Sequence, residues 1–157
     1  MSKNGKYNGA IEDYNKAIEL KPDYYDAYNH RGHAKTKLED YKGAIKDYTK
    51  VIELDPAYHQ GYYNRGISNT KLGNYTKALK DFNKAIELAP FWVHTNKNRR
   101  IVDYWAQYYS SRGFVKINLA DFSGAIKDYT KAIKINSSYG HRYKYRAIAK
   151  YQLKDKK

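Results

Sequence analysis

Apolar positions along this chain fall in helical stripes, not in strand-like alternation. Ala44, Ile45, Tyr48, Val51 and Ile52 stand at i, i+1, i+4, i+7 and i+8, which predicts one amphipathic helix. The stripe recurs. The segments GAIEDYNKAIELKP, GAIKDYTKVIELDP, KALKDFNKAIELAP and GAIKDYTKAIKINS begin at Gly9, Gly43, Lys77 and Gly124, spaced by 34, 34 and 47 residues. A second set, YNHRGHAKTKL, YNRGISNTKL, YSSRGFVKINL and YKYRAIAKYQL, aligns Gly32, Gly66, Gly113 and Ala147 at spacings of 34, 47 and 34. This pattern places Tyr28, Arg31/Gly32, Lys35 and Leu38 along one face. Each repeat therefore predicts two helices. Asp40, Asn74 and Asp121 stand at N-cap positions between them, and Pro22, Pro56 and Pro90 follow the second helix, where a helix cannot continue. Small residues such as Gly32 and Ala44 allow close approach, while Tyr28, Tyr48 and Leu38 fill the space around the crossing.

A helix–turn–helix of this period resembles the tetratricopeptide repeat (TPR). Its pattern of aromatic, small and proline positions falls on Tyr28, Arg31-Gly32, Ala44, Tyr48, Val51 and Pro56 within residues 25–58. It returns on Tyr62, Gly66, Ala78, Phe82, Ala85 and Pro90 within 59–92, and on Tyr109, Gly113, Ala125, Tyr129 and Ala132 within 106–139, where Ser137 replaces the proline. The resemblance implies an all-α fold, a TPR α-solenoid of antiparallel helix pairs. Arg31, Arg65, Arg112 and Arg146 replace the family's usual Leu. The first three are read as ion partners of Asp47, Asp81 and Asp128, each on the second helix of its own repeat.

Residues 93–105 interrupt the period by 13 residues without Gly or Pro. From Ile101 an apolar face runs through Trp105, Tyr108, Arg112, Val115 and Leu119, so the interruption is read as a first helix lengthened at its N-terminal end. From Val93 to Leu119 it would extend about 40 Å; a kink at 94–98 is the alternative. Either geometry is expected to prevent residues 25–92 from stacking on 106–139 in the ordinary way. Residues 1–24 supply only a second helix and 140–157 only a first. Asp13, Tyr14 and Ala17 at one end and Tyr143, Arg146 and Ala147 at the other are thus expected to complete one another between copies, as a homo-oligomer with a dimer favoured.

Composition narrows the chemistry. The 157 residues carry 30 Lys and Arg against 16 Asp and Glu, a net charge of +14, which favours acidic partners. Cys is absent, excluding disulfides, cysteine nucleophiles and thiolate metal sites. No apolar run is long enough for a membrane span, and the N-terminus has no signal-peptide stretch, so a soluble cytoplasmic chain without membrane partners is expected. His30 and His33 lie one turn apart, but no matching third ligand recurs; no metal or cofactor is expected. No phosphate loop, nucleophile–base pair or carboxylate pair is identifiable, so an enzyme is not expected.

What remains is a surface. In TPR proteins the first helices line a concave groove that takes an extended peptide or a partner's helix. Carried onto this chain, the resemblance implies a groove of Asn29, His30, His33, Thr36 and Lys37, then Tyr63, Asn64, Ile67, Thr70 and Lys71. Beyond the interruption it implies Ser110, Ser111, Phe114, Ile117 and Asn118, then Lys144, Tyr145 and Ile148. Asn64 matches an asparagine that relatives use to hold a peptide backbone, and an amide can donate and accept at once. The carboxylate clamp of some relatives is not supported, because Asn29, His33, Asn64, Gln107 and Ser111 stand at its positions and only Asn64 agrees. The expected role is a non-enzymatic scaffold for an acidic or polar protein segment. Nucleic-acid binding through Lys37, Lys71, Lys97, Arg99 and Arg100, with bases stacked on tyrosine rings, is the second reading, although tyrosines such as Tyr28, Tyr62 and Tyr129 occupy repeating core positions.

Overall fold

The computed structural model describes residues 3–89 and 99–154. Among them are eight α-helices and no strand: α1 (Lys3–Leu20), α2 (Tyr25–Lys37), α3 (Tyr41–Leu54), α4 (His59–Lys71), α5 (Tyr75–Leu88), α6 (Arg99–Asn118), α7 (Phe122–Ile135) and α8 (Gly140–Lys154). The fold is all-α and divides into two compact units, Met1–Asn74 with the antiparallel pair α2 and α3, and Tyr75–Lys157 with the antiparallel pair α6 and α7.

The turn inside each pair follows from its residues. Asp40 Oδ1 accepts from the Gly43 amide at 2.9 Å, and Asp121 Oδ1 from the Gly124 amide at 2.8 Å, so both aspartates cap the helix they precede. The preceding helix ends in a left-handed residue: Glu39 (φ 62°), Gly73 (φ 74°) and Ala120 (φ 59°). The next amide then reaches back five residues, Asp40 to Lys35, Asn74 to Asn69 and Asp121 to Lys116, each at 2.9 Å. Glycine takes that conformation freely; Glu39 and Ala120 hold it at a cost.

In the first unit, α2 and α3 cross where Gly32 meets Tyr48. A Cβ at Gly32 would lie 2.9 Å from the Tyr48 ring, so the ring occupies the space a side chain would take. Ala44, Tyr48 and Val51 of α3 are all buried. Beside this contact Asp47, 3 % exposed, receives Arg31 on both oxygens (Nε 3.0 Å, Nη2 2.6 Å) and Lys35 on one (2.8 Å). A carboxylate removed from water in this way costs several kcal/mol unless paired, and the bidentate guanidinium supplies that pairing. Arg31 also donates through Nη1 to Asn15 of α1 at 2.7 Å, tying one pair to the helix before it.

The second unit repeats the device. Gly113 accommodates Tyr129 at the same 2.9 Å, and Asp128 receives Arg112 (2.9 and 2.6 Å) and Lys116 (2.8 Å). Two of the three expected Arg–Asp pairs are therefore in place within their units. Arg112 also reaches Asn83 of α5 at 2.9 Å. This bond corrects the stacking expectation: α5 packs on α6 as α1 packs on α2, despite the inserted residues. The insertion lengthens α6 to 20 residues, against 13 in α2 and α4, and Trp105, Ala106 and Tyr108 join the core at its end. The extra length precedes the segment that makes the contact, so that segment keeps its place. The division of the chain falls after Asn74 and not at the interruption. Pro90 and the expected kink at 94–98 lie outside the described residues.

Candidate functional site

In the first unit, α2 and α4 present the residues assigned to the groove. Asn64 Nδ2 donates to Asn29 Oδ1 at 3.4 Å, and Asn29 Nδ2 donates to the Tyr58 hydroxyl at 3.4 Å. That hydroxyl donates to Gln60 Oε1 at 2.8 Å. The two amide contacts are long and therefore weak, so each amide can turn to an external partner at little cost. Burial, with Tyr25, Asp26 and Asp55 nearby, holds the Tyr58 hydroxyl above the usual phenol range, keeping it neutral. The Tyr25 ring stands edge-on to it at 5.7 Å. Tyr63 and Ile67 are half-buried around this chain, and Lys37 and Lys71 are exposed at the helix ends.

His30 and His33 differ in role. His30 lays its ring on Tyr14 of α1 at 5.9 Å, so it covers the neighbouring helix. Tyr14 thus carries one ring against it, from the helix that follows α1. His33 remains accessible, and partial desolvation first, then Lys37 and His30, lower its pKa. Thr36 and Thr70 do not point freely outward: each hydroxyl donates to the carbonyl four residues back, at Gly32 and Gly66.

In the second unit, α6 and α8 carry the remaining candidates. Phe114 meets Tyr145 edge-on at 5.7 Å, and Tyr145 stacks on Tyr129 of α7 at 5.9 Å, the contact that His30 makes with Tyr14. Ser111 is half-buried, while Asn118 and Lys144 are exposed; the Asn118 amide donates to the Phe114 carbonyl. Ser110 is a correction. It is buried, donates to the Ala106 carbonyl at 2.7 Å and accepts from Arg142 Nε at 3.1 Å.

Arg142 was not singled out from the sequence, yet it is only 1 % exposed. Its Nη1 donates to the Asn136 carbonyl at 2.6 Å and its guanidinium lies 4.5 Å from the centre of the Tyr139 ring. Burial lowers its pKa, opposed by Asp103 and Tyr139. Asp103 in turn accepts from the Asn136 amide. The signal for Tyr58 and Tyr139 was present, because Tyr24, Tyr58, Trp105 and Tyr139 share the repeat spacing. Position 142 offered none, since Ala27, Gly61 and Tyr108 precede it in the repeat.

The residues assigned to association lie on α1 and α8. Asp13 is exposed, and Tyr14 and Ala17 are part-exposed. On α8, Tyr143 and Ala147 are exposed, while part-exposed Arg146 lies over the Tyr143 ring at 5.5 Å and reaches Thr130 Oγ1 at 3.4 Å. Among the described residues no group of three His, Asp or Glu could hold a metal ion, and no helix is long and apolar enough to cross a membrane.

Family models match most of the chain: "TPR repeat" at residues 3–38, and "Tetratricopeptide repeat" at 25–58, 59–91 and 106–139. The chain belongs to the tetratricopeptide repeat family. Its fold is shared with the crystal structure of MamA protein (TM-score 0.82, 23 % identity, 95 % of this chain and 74 % of that one). It is also shared with the first TPR of Spaghetti (RPAP3) bound to the HSP90 peptide SRMEEVD (0.70, 24 %, 82 % and 92 %). The Sgt2 TPR domain of Aspergillus fumigatus is a third similar structure (0.68, 21 %, 83 % and 80 %). No curated protein matches the sequence.

Proposed function

We propose that the chain is a protein-interaction scaffold whose first helices take an extended peptide segment, and that copies associate through α1 and α8. The observation that carries the groove reading is the Asn64–Asn29–Tyr58 chain in the first unit. A pair of weakly engaged amides can donate to a peptide carbonyl and accept from a peptide N–H, which suits backbone recognition without sequence preference. Tyr63 and Ile67 offer contact area beside it, and Lys37 and Lys71 add positive charge. The peptide held by the RPAP3 domain supports the same class of partner for this fold.

Charge is partitioned between the units. Residues 1–74 carry 12 Lys and Arg against 10 acids, whereas residues 75–157 carry 18 against 6. The second unit therefore supplies nearly all of the net charge, while the positive charge beside the first unit's groove comes from Lys37 and Lys71. The same concentration favours nucleic acid as a second reading, with phosphate contact in place of amide contact. Lys97 and the side chains of Arg99 and Arg100, central to that reading, lie outside the described residues. Binding of a labelled acidic peptide and of a single-stranded oligonucleotide, each at low and moderate salt, separates the readings. Peptide binding lost in Asn64→Ala supports the scaffold groove; oligonucleotide binding with a steep salt slope and no effect of Asn64→Ala would replace it.

A further inference from the structure

The burial pattern gives the association a register. In α3 the core positions Ala44, Tyr48 and Val51 are 0–2 % exposed, and in α7 Ala125, Tyr129 and Ala132 are 0–1 % exposed. Their counterparts in α1, one repeat earlier, are Ala10, Tyr14 and Ala17, and all three remain part-exposed. On α8 the position of Gly32 and Gly113 is taken by Ala147, which is exposed where both glycines are buried. Tyr143 and Tyr151 flank it at i−4 and i+4, 42 % and 66 % exposed. Each helix thus shows the half of a pair contact that the other lacks.

Charge agrees with that fit. From Gly9 to Leu20, α1 carries Glu12, Asp13 and Glu19 against Lys16, which is itself bridged to Glu19 at 2.9 Å. From Gly140 to Lys154, α8 carries five basic residues and no acid. The pairs already present in the chain supply the template. Arg31 with Asp47 and Arg112 with Asp128 each join residues 16 apart across the two helices of a repeat, next to Gly32–Tyr48 and Gly113–Tyr129.

We infer that α8 of one copy and α1 of a second copy pack as the two helices of a single repeat, in the register that the chain uses internally. This rests on the association proposed above and specifies its contacts. Arg146 takes Asp13 of the second copy, and Tyr14 of the second copy closes over Ala147 between Tyr143 and Tyr151. The joint also makes the groove composite. By the spacing that brings Asn64 to Asn29, it sets His30 of the second copy beside Lys144. Each copy offers one of each face, so the contact is heterologous, and a dimer is the smallest ring that closes it.

The test is sedimentation equilibrium of the full chain over a wide concentration range, with circular dichroism to verify the fold. The wild type is expected to form dimers or larger species. Asp13→Arg and Arg146→Asp alone should each weaken association at least tenfold. Mixed in equal amounts they should associate again, because one joint of the mixture is native and the other is the reversed pair. Ala147→Arg, at an exposed site, should block association without touching the fold. A monomeric wild type, association indifferent to both reversals, or a mixture that stays apart would overturn the register. A monomeric wild type that still captures peptide would overturn the docking and leave the groove reading standing, since Asn64→Ala should lower capture and leave the mass unchanged.

Discussion

Arg112 donates to Asn83 at 2.9 Å across a 13-residue interruption, repeating the bond that Arg31 makes to Asn15 at 2.7 Å. One guanidinium thus serves two purposes in each unit. Its Nε and Nη2 hold the buried aspartate of its own repeat, and its Nη1 holds the helix before it. Replacing Arg112 with Ala leaves Asp128 with Lys116 alone in a site 3 % exposed. The expected loss is about 3 kcal/mol, because one partner of a buried pair is removed and the other stays. Chemical denaturation checks this, and Asp128→Asn with Arg112→Met should recover part of it.

Gly113 and Gly9 should respond oppositely to alanine. A Cβ at Gly113 would stand 2.9 Å from the Tyr129 ring, which is buried and cannot move aside. Gly113→Ala is expected to cost about 1–3 kcal/mol. Nothing lies within 4 Å of a Cβ at Gly9, inside α1. There the change should add up to about 1 kcal/mol from helix propensity. Thermal unfolding of the two variants in parallel decides it, and equal losses would contradict the packing argument.

Ala120 occupies at φ 59° the left-handed turn position that Gly73 occupies at φ 74°. Ala120→Gly should therefore stabilise the second unit by about 1 kcal/mol, relief of a strained residue outweighing the extra freedom of the unfolded chain. A lower denaturation midpoint would show that the turn carries no such strain.

Alkaline pH should unfold the first unit through Tyr48. Burial is the main cause that pushes its hydroxyl up to about 12. An unfolded tyrosine ionises near pH 10, so stability is intact below that value and is lost as pH rises toward 12. Denaturation followed between pH 9 and 12 should show this fall, and Tyr48→Phe should reduce it, leaving the part that Tyr58 contributes. A flat profile in the wild type would contradict the assignment.

Much of this arrangement was legible in the sequence because a repeat states each rule several times. The paired helices, the caps at Asp40 and Asp121 and the Arg31–Asp47 and Arg112–Asp128 pairs all follow from period and spacing. Features that the shared pattern does not state were harder to see. Lys35 and Lys116 join the aspartates from one turn beyond the arginines, and an exposed-looking lysine gives no sign of that. Arg142 enters the core where other repeats place Ala27 and Gly61, and its partner Ser110 leaves the groove to meet it. The interruption seemed to forbid stacking because its length and its place at the helix N-terminus were visible, but not that the Arg112–Asn83 contact beyond it would keep its geometry. In the candidate groove the pattern named Asn29 and Asn64, but Tyr58, which orients Asn29, lies in the turn before the helix.

The central claim is that the Asn64–Asn29 face of the first unit holds an extended peptide. Fluorescence anisotropy of a labelled acidic peptide, titrated with the full chain and with Asn64→Ala, tests it most directly. The expected result is saturable binding that Asn64→Ala weakens about tenfold, the equivalent of roughly 1.4 kcal/mol for the lost amide contacts. Binding of equal strength by the wild type and the variant, with both fully helical, would contradict it.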